Sequence, residues 1–248
     1  MAQAVIVTGG SRGIGAATSV LAAQAGYAVG VNYVQDRGSA LELVAQIEAS
    51  GGRAIALQAD VALEADVLRM FDEATAQLGP VGALVCNAGT TGRLTRVEDV
   101  DLATLRRVLD VNLLGCMLCC REAVRRMSTA HGGTGGAIVN VSSVAATTGS
   151  AGEYVHYAAS KAGVDAFTLG LAREVASCGI RVNAVAPGST LTGIHAAAGD
   201  PQRPLRIAPR IPLQRLAEPP EIARAIVWLL SAEASYATGA VLRVAGGL

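Results

Sequence analysis

Seven short apolar runs recur along this chain, most of them followed by a longer stretch with helical spacing, and this rhythm narrows the fold more than any other feature. The runs are Ala4–Thr8, Ala28–Tyr33, Arg53–Gln58, Ala83–Cys86, Ala137–Ser142, Arg181–Pro187 and Ala240–Val244. They are apolar at successive rather than alternate positions, as strands covered by helices on both faces should be. Helical patterns fit Ile14–Ala25, Ser39–Ala49, Glu64–Leu78, Leu102–Met127 with a break near Asp110, Tyr157–Cys178 and Pro220–Leu230. In the second of these, Leu41, Val44 and Ile47 are expected to form the core-facing stripe, with Gly51-Gly52 as the stop. Strand-then-helix repetition implies right-handed crossovers. The expectation is an α/β single-domain Rossmann fold: a doubly wound parallel sheet of about seven strands with helices on both faces. No linker-like composition or internal repeat divides residues 1–248.

Composition removes several function classes. Lys+Arg 20 against Asp+Glu 20 leaves no basic excess for phosphate backbones, so no nucleic-acid partner is expected. No apolar stretch approaches the roughly 20 residues that span a bilayer, and the N-terminus lacks a signal-peptide pattern, which points to a soluble, cytoplasmic protein without a membrane partner. Five cysteines, an odd count, fit a reducing compartment. Cys116, Cys119 and Cys120 fall on one helical face. With no histidine nearby, they read as a packed or interface face, and no metal is expected.

The first strand runs into "TGGSRGIG" (Thr8–Gly15) and then a helix. Glycines at 9, 13 and 15 allow a tight turn, close approach of a pyrophosphate and close helix packing, and the helix N-terminus offers free N–H groups to phosphates. A second irregular segment, Gly193–Leu213, follows the sixth strand. Ligands of open α/β sheets sit at the carboxyl ends of strands, so this insertion reads as a substrate lid, with a plain surface loop as the alternative. Arg203, Arg206, Arg210 and Arg215 lie in or beside it, either to meet an anionic substrate or to solvate the loop.

The spacing T-G-x-x-x-G-x-G resembles that of the short-chain dehydrogenase/reductases. "CNAG" (Cys86–Gly89), "VNLLG" (Val111–Gly115), "IVNVSS" (Ile138–Ser143), "YAASK" (Tyr157–Lys161) and "PGSTLT" (Pro187–Thr192) follow in that family's order. The resemblance implies a nicotinamide cofactor held by Gly9, Ser11, Arg12, Gly13, Ile14, Gly15, Asn32, Tyr33, Asp60, Val61, Asn87, Ala88, Gly89, Tyr157, Lys161, Pro187, Gly188, Thr190 and Thr192. The second strand ends in Asn32-Tyr33 without an acid, and Arg12 resembles the basic residue of NADP-preferring relatives. Asp36, a little further on, is the counter-argument. NADP is favoured, with NAD possible. The resemblance also implies a homotetramer or homodimer.

Tyr157 and Lys161, four apart, share one helical face. An unperturbed phenol titrates near 10, and a neighbouring ammonium is expected to lower that value toward a useful proton donor and acceptor. Tyr154 lacks such a partner and reads as a pocket wall; His156 points elsewhere and reads as surface or interface. Ser142 and Ser143 face opposite ways, so one alone can polarise a substrate oxygen. The family pattern selects Ser143, and it places Asn112 as the amide holding a relay water next to Lys161. The step from Ser143 to Tyr157 is one residue longer than in many relatives, and Gly149–Glu153 is the loop that would absorb it. The function implied is hydride transfer between NADP(H) and a carbonyl or secondary alcohol on a small molecule. The branches resembled are the 3-oxoacyl-carrier-protein reductases and the glucose-dehydrogenase-like enzymes. Two alternatives stay open: an NAD-linked sugar or hydroxysteroid dehydrogenase, and a nucleotide-sensing protein without turnover.

Overall fold

The computed structural model describes residues 3–248. One sheet carries all seven strands: β1 (Ala4–Val7), β2 (Ala28–Tyr33), β3 (Arg53–Gln58), β4 (Val81–Cys86), β5 (Gly136–Val141), β6 (Ile180–Pro187) and β7 (Val241–Val244). Their order is β3-β2-β1-β4-β5-β6-β7, and every pairing is parallel. The chain order reverses between β1 and β4, so a crevice opens there at the carboxyl ends of the strands.

The helices are α1 (Gly13–Gln24), α2 (Arg37–Ala49), α3 (Glu64–Leu78), α4 (Leu102–Leu109), α5 (Gly115–Met127), α6 (Ala145–Thr148), α7 (Val155–Val175), α8 (Ile194–Ala197), α9 (Arg203–Ile207) and α10 (Pro219–Leu230). They fall on two sides of the sheet. Ala4 and Ile6 of β1 pack into a core with Met70 and Phe71 of α3, Cys119 and Ala123 of α5 and Val164 of α7. Val5 and Val7 turn the other way, onto Ala22 of α1, Leu43 and Ile47 of α2 and Ile222 and Ile226 of α10. Both faces of each central strand are buried, which is why these strands read as unbroken apolar runs. Among the described residues, no helix is long and apolar enough to cross a membrane.

Two expectations need correction. The buried stripe of α2 is Ala40, Leu43 and Ile47, while Leu41 is 47% exposed. Asp36 caps this helix, its carboxylate accepting from the Ser39 N–H and hydroxyl, so the helix begins at Arg37 and its inward face is set by that start. The alternative of a plain surface loop for 193–213 fails, because the segment is folded: α8, α9 and a short 3₁₀ turn at Ala208–Arg210 bury Ala198, Arg203 and Ile211. The break near Asp110 is a single π-helical turn, Asp110–Leu114, between α4 and α5.

Candidate active site

The glycine loop is held from below by side chains that leave its upper surface free. Asn32 Oδ1 accepts from Gly9 N at 3.0 Å, and Asn32 Nδ2 donates to the Leu57 and Ala59 carbonyls. Asn87 Nδ2 donates to the carbonyls of Thr8 and Gly9, and Thr8 Oγ1 accepts from the N–H groups of Asn87 and Ala88. Beneath the loop, Asn32 braces the backbone from its place on β2. Gly9 and Gly13 adopt positive φ, +59° and +55°, and a Cβ on Gly15 would lie 2.2 Å from the Gly9 carbonyl oxygen. At the start of α1, Arg12 provides no side-chain cap and no acid occupies the first turn. The helix therefore presents unspent N–H groups and its positive end to the crevice, as an anion site requires.

The other expected cofactor residues ring this loop unevenly. Ser11 and Ile14 are half-buried within it and Arg12 is exposed. Arg12 is close enough to Asp36 to depress that carboxyl further, although the capping bonds from Ser39 are the larger cause. Tyr33 is buried at the end of β2. Asp60 accepts from Ala62 N and pairs with Arg107 at 2.8 Å. Val61 is buried against Gly115, where a Cβ would meet Val61 Cγ2 at 2.8 Å. Thr192 lies over the loop, its methyl 3.1 Å from where a Gly13 Cβ would stand. Pro187 and Gly188 end β6, Gly188 N donating to the Val244 carbonyl, and Thr190 Oγ1 donates to the Gly188 carbonyl.

Across the crevice, α7 brings Tyr157 and Lys161 onto one buried face. Lys161 Nζ lies 5.8 Å from the centre of the Tyr157 ring and donates to the Val141 carbonyl at 2.7 Å. A Cβ on Gly89 would stand 3.4 Å from Asn112 Oδ1 and 3.5 Å from Lys161 Nζ, so the glycine keeps open the space these groups share. The π turn delivers Asn112. Its amide donates to Thr90 O and Ser160 Oγ, and its oxygen accepts from Thr90 N, all within 3.0 Å. One lone pair of Oδ1 is left for a relay water.

The two serines have different surroundings. Ser142 is buried and donates to the Lys161 carbonyl. Ser143 is half-buried, its Oγ accepting from Ala145 N, and its influence on Tyr157 favours the ionised phenol. In the loop expected to absorb the extra residue between Ser143 and Tyr157, Gly149, Ser150 and Gly152 all adopt positive φ.

The electrostatics differ from the expectation. Burial pushes the Tyr157 phenol up, and Ser143 and the positive Arg203 only partly oppose it. The Lys161 ammonium, itself buried, is brought down to about 8. Desolvation disfavours charge on both groups and is the largest influence on each. The resting pair is a protonated phenol beside a lysine that titrates near neutrality.

Sequence reasoning named Tyr154 as a pocket wall but missed what packs around it. Tyr154 stacks edge-on against Tyr157, ring centres 5.5 Å apart at 89°. Arg203, from the lid, places its guanidinium 5.1 Å over the Tyr154 ring and donates to Glu153 Oε2 at 2.6 Å. His156, expected at the surface, is buried, and its Nε2 donates to the Thr91 carbonyl at 2.9 Å. The bend at Gly92, with φ of +69°, brings Thr91 over α7 and covers that ring. His195 of the lid is also buried, kept neutral by burial and by the positive Arg203. Of the other arginines in or beside this segment, Arg206 pairs with Asp200 and Arg215 with Glu221, and Arg210 is exposed. No local pattern announces the Arg203–Glu153 contact, because fifty positions separate its members.

Comparison with known proteins agrees with this geometry. A family model described as enoyl-(acyl carrier protein) reductase matches residues 9–248. An uncharacterized oxidoreductase, YgfF, of Escherichia coli K12 is 52% identical over 98% of both chains. The cis-4-hydroxycyclohexanecarboxylate dehydrogenase of Sinomonas cyclohexanicum is 40% identical over 99% of this chain and 96% of its own. A crystal structure of a blue fluorescent protein from a metagenomic library, in complex with NADPH, superposes with a TM-score of 0.90 at 34% identity, over 99% of this chain and 97% of that one.

Proposed function

The chain belongs to the short-chain dehydrogenase/reductase family, and on that premise we propose that it is an NADP(H)-linked oxidoreductase interconverting a carbonyl and a secondary alcohol, with Tyr157 handling the proton. The observation that carries this reading is the convergence of Tyr157, Ser143 and Lys161 on one buried face opposite an uncapped helix N-terminus. Gly9, Ser11, Gly13, Ile14 and Gly15 would cradle the pyrophosphate on backbone N–H groups. Arg12 would meet the 2′-phosphate, and Asp36 is spent capping α2. Asp60, Val61 and Asn87–Gly89 would line the adenosine end, and Lys161, Pro187, Gly188, Thr190 and Thr192 the nicotinamide end. A nicotinamide cofactor bound in this cradle supplies the hydride.

The chain's own part is orientation and proton transfer. Ser143 donates to the substrate oxygen and holds it against the Tyr157 hydroxyl. The phenol, kept protonated by burial, gives its proton to that oxygen as charge develops there. Lys161 stabilises the resulting phenolate, and Asn112 fixes the turn at Thr90 and offers one lone pair to a water beyond the ammonium. The reverse oxidation uses the same groups in the opposite order. The exposed Leu109, Leu114 and Leu169 support assembly into dimers or tetramers.

A second reading has its own support. The Arg203 cation beside Tyr154, together with the 40% identical hydroxycyclohexanecarboxylate dehydrogenase, favours a substrate that carries a carboxylate. The test is a panel of neutral and carboxylate-bearing carbonyls and alcohols, assayed with each of the four nicotinamide cofactor forms. Turnover with NADPH or NADP on some member is expected. Stoichiometric nucleotide binding without turnover of any member would make this a sensing protein instead.

A further inference from the structure

A buried cluster of three thiols lies behind the crevice, and neither the cofactor nor the proton chemistry uses it. Cys86 ends β4, and Cys116 and Cys120 stand one turn apart on α5. Their sulfur atoms all lie within 4.8 Å of one another, with Cys86 Sγ and Cys120 Sγ 3.8 Å apart. Cys119, which the sequence grouped with these two, is not a member of this set of mutually close donors, and Cys86 takes its place. Asn140 of β5, fully buried, sets its Oδ1 3.4 Å from the sulfurs of both Cys116 and Cys120. That oxygen is aimed deliberately by its surroundings. Thr168 Oγ1 spends its proton on the Val164 carbonyl and must accept from Asn140 Nδ2, so the amide oxygen can only face the thiols.

We propose that Cys86, Cys116 and Cys120, with Asn140 Oδ1 as the fourth donor, form a structural site for a soft divalent d¹⁰ ion, zinc in the first instance. The spacing fits before any ion is placed. A tetrahedral zinc with Zn–S of about 2.3 Å has S···S edges of about 3.8 Å, and with Zn–O of about 2.1 Å its S···O edges are about 3.6 Å. The Cys86–Cys120 separation of 3.8 Å and the 3.4 Å from Asn140 Oδ1 to Cys116 and to Cys120 match those edges, and the other sulfur pairs lie within 4.8 Å. Three thiolates and one carboxamide leave no open position, so the site is structural rather than catalytic. Binding releases the three thiol protons to solvent without any redox change. The resulting single negative charge has a counter-ion at hand in Lys161, whose ammonium feels Cys116 and Cys86. Such an ion ties β4, directly before Asn87–Gly89, to β5, directly before the serine pair, and to α5 after the π turn.

Because the cluster is closed to solvent, metal enters during folding, and the test uses tag-free protein produced in medium supplemented with zinc or with cadmium. After purification under reducing conditions without chelator, one ion per chain is expected. The cadmium form should show the ultraviolet thiolate-to-metal charge-transfer band, and both metals should raise the Tm. Cys120→Ser and Cys86→Ala should lose the ion, whereas Cys119→Ala and Cys178→Ala should retain it. Cys120→Ser is nearly isosteric, so it carries the test if Cys86→Ala does not fold. Substoichiometric metal in the supplemented wild type overturns the proposal, as does retention that is unchanged in Cys120→Ser.

Discussion

The glycine loop and the lid face the same crevice but are held in opposite ways. Beneath the loop, buried amides make short bonds to backbone groups: Asn32 and Asn87 between them take Gly9 N and the carbonyls of Thr8, Gly9, Leu57 and Ala59. Around residues 193–213, the polar contacts are ion pairs, Arg206 with Asp200 and the buried Arg203 with the partly exposed Glu153, plus a few backbone bonds such as Leu94 N to the Ala198 carbonyl. Buried, fully satisfied amides fix one geometry, because any other arrangement leaves polar groups unpaired in a low dielectric. Exposed pairs contribute about 1 kcal/mol or less and can be exchanged for water or ligand. The contrast teaches that the glycine-loop side is preorganised while the 193–213 side can adapt.

The sharpest way to break this comparison is at its meeting point. Tyr157→Phe keeps the ring packed on Tyr154 and removes only the hydroxyl. Turnover is expected to fall by about 10²–10⁴ with cofactor affinity unchanged, read by steady-state rates and by nucleotide fluorescence titration. Retained turnover would take the proton chemistry away from this residue.

Next in size is Asn32→Ala, which strips the partner from Gly9 N and from two buried carbonyls. Unpaired buried groups cost about 1–3 kcal/mol each. A loss of about 3 kcal/mol, or roughly 10 °C in Tm for a domain of this size, is expected. A smaller effect than that of Arg203→Ala would invert the rigid and adaptable assignments.

These two sides also differed in how much of them could be read from the chain. Ala28–Tyr33, Arg53–Gln58 and Glu64–Leu78 have the same bounds in sequence and structure, since their limits are set by local apolar runs and nearby glycines. The loop, the π turn at Asn112 and the Tyr157–Lys161 face were legible because each is built from residues close in sequence. The role of Asn32 was not, because its partners on β3 and in the loop are known only once the strands are paired. The outward Leu41 follows from the Asp36 cap, which fixes where α2 starts. His156 was misplaced because the Thr91–Gly92 bend that covers it lies on another element. Arg203 and Glu153 carry no motif at all. Long-range contacts between irregular segments are what the sequence left unread.

A pH measurement sharpens the comparison further. Burial lowers Lys161 from 10.5 to about 8. A base with a depressed value loses its proton as pH rises through that value, so the ammonium beside Tyr157 is present below about pH 8 and absent above it. The unfolded chain keeps its proton to higher pH, so the burial penalty is relieved and stability rises between about 8 and 10.5. Reductive kcat/KM is therefore expected to fall as pH rises through about 8. Lys161→Arg, charged throughout, should abolish that fall at a lower absolute rate, and a profile identical to wild type would reassign the titration.

Arg12→Ala removes an exposed cation beside the loop without touching the buried amides. About a tenfold loss in NADP(H) affinity, or roughly 1.4 kcal/mol, is expected with little change for NAD(H), measured by titration of both nucleotides. Equal losses would mean that Arg12 serves the helix terminus and not a 2′-phosphate.

The smallest effect is expected on the lid, and it decides what the lid is for. Arg203→Ala breaks the pair with Glu153 and uncovers the Tyr154 ring, yet Glu153 is a third exposed and can turn to water. Tm should move by only a few degrees. If the guanidinium merely latches the lid, the substrate KM rises several-fold for neutral and carboxylate-bearing compounds alike, and Glu153→Gln reproduces the change. If it reads a substrate carboxylate, the loss concentrates on the anionic compounds, Glu153→Gln leaves their KM unchanged or lower because a competitor for the fork is gone, and Arg203→Lys, with its point charge, does not restore them. The ratio of the two KM changes, not the size of either, separates a hinge contact from a specificity residue.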